Sequence, residues 1–71
     1  MKHLELFEDV PNDKIEMTIN QWVKGSRNRE LMHDRLIEYM TYERIAEKYD
    51  LTLRYVQDLI DRLEKTVFKH L

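Results

Sequence analysis

The 71-residue sequence contains no cysteine, one glycine and one proline. Without cysteine, the chain has no disulfide framework, no thiolate zinc site and no cysteine nucleophile. The scarcity of glycine and proline disfavours a sheet protein with many tight turns, and it equally disfavours a disordered linker. No apolar run exceeds two residues, which is too short to span a membrane. With no leader or lipidation signal, the chain is expected to be cytoplasmic.

Charged residues make up 37% of the chain and apolar residues 42%, a balance that is typical of short amphipathic helices. A chain of this length buries only about 60% of its unfolded surface, so a helical core or a dimer must supply its stability. The composition therefore predicts one all-α domain over residues 11–71, a small bundle of about four helices.

The formal net charge of −2 is unevenly distributed along the chain. Residues 1–23 carry a net −3, residues 24–40 a net +1, and residues 41–71 are neutral. The acidic residues 1–10 form a flexible tail, a short strand or a partner-binding arm. The remainder of the chain permits DNA binding, although its charge does not by itself indicate it.

Two amphipathic helices are predicted in the first half of the domain. The first begins between Pro11 and Asp13, where Asp13 and Glu16 form a weak capping box, and Gly25 closes it in a left-handed conformation. The second begins at Ser26 or Asn28 as N-cap and runs to about residue 40. Their apolar faces are expected to be Ile15, Ile19, Trp22 and Val23 in the first helix, and Leu31, Met32, Leu36, Ile37 and Met40 in the second. Arg27, Arg29, Glu30, Asp34, Arg35 and Glu38 are expected to lie mostly outside.

Two further helices are predicted over about 42–49 and 53–70, each beginning after a threonine N-cap. Each cap has an apolar residue just before it and another four positions further on, the spacing of a hydrophobic staple. These pairs are Met40 and Ile45 around Thr41, and Leu51 and Val56 around Thr52. Only residues 50–52 separate the two helices, so they must cross steeply over a small apolar contact, as in a helix-turn-helix at about 42–61.

The helix-turn-helix pattern requires a small residue at its fifth position and apolar residues at five others. All six positions fit, with Ile45, Ala46, Tyr49, Leu51, Val56 and Leu59. The ninth position usually holds glycine in a left-handed conformation, and here it is Asp50. Aspartate tolerates this conformation at a cost of about 1 kcal/mol, so the turn is still expected to form.

The segment Thr41-Tyr42-Glu43-Arg44-Ile45-Ala46-Glu47-Lys48-Tyr49-Asp50-Leu51-Thr52 resembles the fourth conserved region of bacterial sigma factors. In that family an aromatic–Asp–aliphatic–Thr turn links the two helices, and the resemblance is specific over residues 41–60. It implies a helix that reads the −35 promoter element and a contact with RNA polymerase. Small phage-encoded transcription regulators look similar. Housekeeping sigma factors place Arg-Glu after the threonine, whereas this chain has Leu53-Arg54, so the promoter element does not carry over.

The predicted recognition helix presents five residues to base edges near its N-terminus, namely Thr52, Leu53, Arg54, Gln57 and Asp58. Arg54 can bridge guanine O6 and N7, Gln57 can pair with adenine, and Leu53 can pack on a thymine methyl group. Asp58 either accepts from cytosine N4 or holds Arg54 or Arg62 in place. The candidates for DNA backbone contacts are Tyr42, Arg44, Lys48, Tyr55 and Arg62.

The inward face of the last helix is expected to be Val56, Leu59, Ile60 and Leu63. The extension over residues 63–71 continues this apolar seam with Val67, Phe68 and Leu71. It either folds against the first helix or pairs with a second copy, and a homodimer would read two half-sites about one helical turn apart. Trp22 and the methionines fall on helical stripes and are expected to be core residues.

No constellation in the sequence indicates an enzyme, a cofactor, a metal or a small-molecule substrate. His3, His33 and His70 lack metal-ligand spacing, and Ser26 suits a cap better than a nucleophile. The sequence therefore predicts a transcription regulator that binds double-stranded DNA sequence-specifically, and the resemblance implies one related to phage or mobile elements. One alternative is a protein-interaction module that binds RNA polymerase or a repressor without DNA. Another is the DNA-recognition component of a phage packaging machine.

Overall fold

The computed structural model describes residues 10–71, and all regular structure in this part of the chain is helical. Four helices follow in order: α1, Asn12–Trp22; α2, Ser26–Leu36; α3, Tyr42–Tyr49; and α4, Leu53–Lys69. The predicted all-α bundle of about four helices is confirmed. The predicted acidic arm lies outside the described residues except for Val10, which packs partly buried against the core.

One hydrophobic core is built from all four helices, and α4 contacts each of the other three. The core residues are Ile15, Ile19, Val23, Leu31, Met32, Leu36, Ile45, Ala46, Val56, Leu59, Ile60 and Val67. Leu63 and Leu71 pack partly buried at its edge. The apolar spacing of each helix therefore predicted most of the core, since residues three, four and seven apart share one helical face.

Trp22 and Met17 were expected in the core, and both expectations are wrong. Met17 is 58% exposed because it lies about 200° around the helix from Ile15, on the opposite face. Trp22 lies on the apolar stripe, but it is the last residue of α1. The chain becomes extended at Val23, and the side chain of Val23 is buried where the helix ends. The Trp22 ring is 49% exposed and stacks on the His70 ring, with 3.7 Å between centroids.

Helix α2 ends at Leu36, about four residues earlier than predicted. The N–H groups of Ile37 and Glu38 both bond to the carbonyl of His33, and Tyr39 adopts a left-handed φ of 57°. The Met40 N–H donates to the Asp34 carbonyl at 3.0 Å. These bonds satisfy the last carbonyls of α2, so the helix can end at Leu36. The apolar spacing in the sequence continues beyond this point to Met40.

The predicted caps of the first two helices are wrong. Pro11 is the N-cap of α1, no side chain caps this end, and Asp13 lies inside the first turn. Gly25 is the N-cap of α2, and Ser26 is already helical. Gly25 has the positive φ that was expected, at 89°, but it opens α2 and does not close α1. This φ, together with a ψ of 128°, is a conformation that favours glycine. It sets the start of α2 without a side-chain cap.

Candidate nucleic-acid interface

Both predicted threonine caps in the second half of the chain are confirmed. The hydroxyl oxygen of Thr41 accepts the Arg44 N–H at 3.1 Å, and that of Thr52 accepts the Tyr55 N–H at 3.2 Å. Each bond satisfies one of the first N–H groups of its helix, which have no partner within the helix itself. The caps therefore set the first residues of α3 and α4.

The turn between α3 and α4 is closed by a Schellman motif. Asp50 is left-handed, with φ 56° and ψ 49°, as its position in the sequence predicted. The Leu51 N–H donates to the Ala46 carbonyl at 2.8 Å, and the Asp50 N–H donates to the Glu47 carbonyl at 3.4 Å. This pair of bonds satisfies the last carbonyls of α3 and sends the chain directly into α4.

The six residues of the predicted apolar pattern lie at or beside the core. Ile45, Ala46, Val56 and Leu59 are buried, and Tyr49 and Leu51 pack partly buried against them. Helices α3 and α4 contact each other through this cluster. Because buried residues of the two helices pack together on either side of the three-residue turn, the N-terminal part of α4 has a defined position on the molecule.

The five predicted base-reading residues lie together, and all are exposed, on the cap and first two turns of α4. The side chain of Arg54 is 85% exposed. Its Nε lies 3.5 Å from Oδ2 of Asp58, one helical turn further on. Of the two roles predicted for Asp58, the structure contains the one in which it holds Arg54.

The predicted backbone-contact residues fall into two groups. Arg44 and Arg62 are exposed, and no carboxylate among residues 10–71 lies within ion-pair distance of either. Tyr55 is also exposed, on the first turn of α4. Lys48 and Tyr42, in contrast, make contacts within the molecule that hold α3 against α2.

Asp34 is the centre of the contacts around Lys48. It was expected on the outer face of α2, which is wrong, since only 5% of the residue is exposed. Its Oδ2 accepts from Lys48 Nζ at 2.9 Å and from the Tyr49 hydroxyl at 2.5 Å, while Glu30 lies 3.3 Å from the same lysine. A buried carboxylate requires such partners, so this group links α2 to α3.

The environment of this group raises two pKa values. Burial of the phenol is the main reason that the pKa of Tyr49 is raised, and its hydrogen bond to Asp34 adds to the effect. The hydrogen bond to Asp34 also raises the pKa of Lys48, outweighing the opposing effect of desolvation. Both shifts keep Lys48 and Tyr49 protonated, so that each can donate its hydrogen bond to Asp34.

Arg35 was also expected on the outer face of α2 and is buried. Its Nη1 donates to the Met40 carbonyl at 2.8 Å, and its guanidinium lies 4.2 Å from the ring centroid of Tyr42. The half-buried Tyr42 ring is thus covered by a cation from α2. Together these contacts hold the loop between α2 and α3.

One residue beside the candidate interface was not predicted. Arg27, on the first turn of α2, donates from Nη2 to the Tyr55 hydroxyl at 3.5 Å. The two residues are 28 positions apart, and no local pattern in the sequence connects them. The contact depends on how α2 packs beside α4, which only the tertiary structure defines.

Two classes of feature are absent from residues 10–71. None of the helices in this range is both long and apolar enough to cross a membrane. The same residues contain no group of three His, Asp or Glu side chains that could hold a metal ion.

Comparison of the chain with known protein families, with curated protein sequences and with solved structures yields no match. The resemblance to the fourth region of sigma factors therefore depends on the residues of the α3–α4 segment alone.

Proposed function

We propose that the protein is a sequence-specific DNA-binding transcription regulator whose helix α4 reads the major groove. The observation that carries the proposal is the position of Leu53, Arg54 and Gln57. All three are exposed on the first two turns of a helix whose opposite face is buried, and α3 adjoins it across a three-residue turn. A major groove about 12 Å wide admits an α-helix, and a recognition helix enters it N-terminus first.

The exposed side chains have the chemistry that base reading requires. A guanidinium can donate two hydrogen bonds to guanine, an amide can pair with adenine, and an aliphatic side chain can cover a thymine methyl group. The ion pair between Arg54 and Asp58 is exposed at both ends, so little free energy is lost when Arg54 exchanges it for a base. Until then, Asp58 restricts the arginine to the face that would meet the DNA.

Electrostatics restrict how the protein would bind. Residues 10–71 carry eleven Lys or Arg and eleven Asp or Glu residues, so non-specific attraction to DNA is expected to be weak. Phosphate contacts must come from a few local cations, of which Arg44 and Arg62 are exposed and without carboxylate partners among residues 10–71. With four to six such contacts, the logarithm of the affinity is expected to fall with log salt with a slope of about −4 to −5.

The first test is selection from a randomised duplex pool at low salt, with wild type and two variants in parallel. Arg54→Ala removes the proposed guanine contact. Lys65→Ala is its matched control, because Lys65 is an exposed cation on the same helix in a similar ion pair with Asp61, at 3.5 Å. We expect the wild type to enrich one motif. Arg54→Ala should lose preference at one or two positions, each worth about 1–3 kcal/mol, while Lys65→Ala selects the same motif.

Retention of no duplex by the wild type at low salt would contradict the proposal. The competing function is then a module that binds RNA polymerase or a repressor without DNA, which the exposed apolar surface of Leu53 and Tyr55 favours. A packaging component would also retain DNA. A reporter transcribed from a promoter that contains the selected motif separates it from a regulator, since only the regulator changes transcription through that motif.

A further inference from the structure

We propose that Arg27 and Tyr55 form a phosphate clamp between α2 and α4, which holds the DNA backbone at the edge of the groove that α4 reads. This assignment rests on the proposed function and adds a second helix to the interface. The clamp residues come from the first turns of two different helices, and a hydrogen bond of 3.5 Å joins Arg27 Nη2 to the Tyr55 hydroxyl.

The charge of Arg27 is available for a ligand. Among residues 10–71, its guanidinium donates to two neutral acceptors, the Tyr55 hydroxyl and Oδ1 of Asn28 at 3.4 Å. Arg54, Lys48 and Lys65 each have a carboxylate within 4.0 Å, whereas Arg27, like Arg44 and Arg62, has none among residues 10–71. A guanidinium has five donors, and both contacts use Nη2, so the protons on Nε and Nη1 remain available to a phosphate.

Tyr55 supplies the second donor of the clamp. Its hydroxyl oxygen accepts from Arg27, which leaves its own proton available to donate to a further acceptor. Tyrosine hydroxyls and arginines are common donors to DNA phosphates. Tyr55 adjoins Arg54 in sequence and lies about 100° from it around the helix, so it borders the base-reading face. A donor pair in this position would meet a backbone phosphate when Arg54 faces the bases.

The clamp is tested with the duplex selected by the wild type, labelled with a fluorophore and titrated by anisotropy between 50 and about 200 mM salt. The variants are Arg27→Ala, Tyr55→Phe and the double variant. Lys69→Ala is the matched control. It removes one exposed lysine that has no carboxylate partner among residues 10–71, at the far end of α4, about 21 Å along the axis from Tyr55. Circular dichroism checks that each variant is folded.

We expect Arg27→Ala to weaken binding roughly tenfold and to lower the salt slope by about one, with an unchanged sequence preference. Tyr55→Phe should weaken binding less, and the double variant should lose less than the two single effects combined, because the two donors share one phosphate. Lys69→Ala should leave both the affinity and the slope close to wild type.

Two outcomes overturn the clamp alone. One is an Arg27→Ala variant that matches Lys69→Ala in both affinity and salt slope while the wild type binds DNA. The other is a changed sequence motif in Arg27→Ala, which would make this residue a base reader. If the wild type itself binds no duplex, the proposed function and the clamp are both wrong.

Discussion

At the scale of single residues, the contacts of charged side chains decide which of them are available to a ligand. Lys48 and Arg54 are both predicted to contact DNA, but their ion pairs differ. Lys48 is held between Asp34 and Glu30, whereas Arg54 has one exposed partner, Asp58. A phosphate contact by Lys48 would compete with a buried carboxylate for the same ammonium. Arg54 loses only an exposed ion pair, whose worth is about 0–1 kcal/mol. The residues of the candidate interface can therefore be ranked by the contacts that each would lose on binding DNA.

Tyr49 has a raised pKa, from which a dependence of stability on pH follows. The unfolded phenol ionises near pH 10, whereas the folded phenol keeps its proton to higher pH. The hydrogen bond between Tyr49 and Asp34 therefore stabilises the protein fully below pH 10, and this stability is lost as the pH rises above 10 towards the folded pKa. The raised pKa of Lys48 has an effect of the same sign, because the stability that it contributes is also lost as the pH rises.

We expect Tyr49→Phe to lower the free energy of unfolding by about 1 kcal/mol at pH 8, because the hydrogen bond to Asp34 is lost. Above pH 10 the melting temperature of wild type should fall more steeply than that of the variant, so that the two curves converge. Thermal melts monitored by circular dichroism from pH 8 to 11 measure this. Parallel curves over the whole range would show that Tyr49 does not contribute to the alkaline loss of stability.

At the scale of elements, side-chain caps set the starts of α3 and α4, whereas backbone conformation sets the start of α2. Thr41 and Thr52 accept N–H groups three residues on, and the left-handed Asp50 makes the bonds that end α3. Tyr39 adopts a similar left-handed φ of 57° near the end of α2, without the short polar side chain that tolerates it best. The α3–α4 segment is thus the part of the chain in which local sequence and structure agree most closely.

Asp50→Gly is expected to stabilise the protein by about 0.5–1 kcal/mol, because glycine has no Cβ penalty in the left-handed conformation. For a domain of this size, that corresponds to a rise of roughly 2–8 °C in the melting temperature. Asp50→Ala is the control, and it should lower the melting temperature because alanine tolerates this conformation less well than aspartate. Thermal melts at pH 7 compare the three proteins. Equal effects of both substitutions would mean that the aspartate carboxylate, and not its φ, governs the turn.

At the scale of the whole molecule, the last turns of α4 complete the core by packing against α1. Val67 is fully buried, and the Trp22–His70 stack joins the end of α1 to the end of α4. Of the two arrangements predicted for residues 63–71, this one, in which the extension folds against the first helix, is present. The proposed recognition end of α4 therefore belongs to the same helix that holds α1 in place, and its orientation depends on the whole bundle.

Val67→Ala is expected to lower the free energy of unfolding by about 1–3 kcal/mol, through lost apolar burial and the cavity left behind. Lys69→Ala, on an exposed position two residues away, should change it by less than about 0.5 kcal/mol. Urea titrations at two protein concentrations measure both effects. A loss in Val67→Ala that appeared only at the higher concentration would assign this residue to a contact between two copies.

Apolar periodicity, the Thr41 and Thr52 caps and the left-handed Asp50 could all be predicted from the sequence. Each depends on interactions within about five residues, which propensity and spacing describe. The same information placed Trp22 in the core and extended α2 to residue 40, because periodicity does not reveal where a core ends. The exposed position of Arg54 on the first turn of α4 follows from the same local pattern.

Only the tertiary structure decided which polar side chains become buried and which lie beside the candidate interface. Asp34 binds Lys48 and Tyr49, and Arg27 reaches Tyr55, over separations of 14 to 28 residues. A buried carboxylate costs free energy unless partners are present, and those of Asp34 come from another helix. The sequence by itself therefore determined the helices and the turn, whereas helix packing determined the partners of their charges.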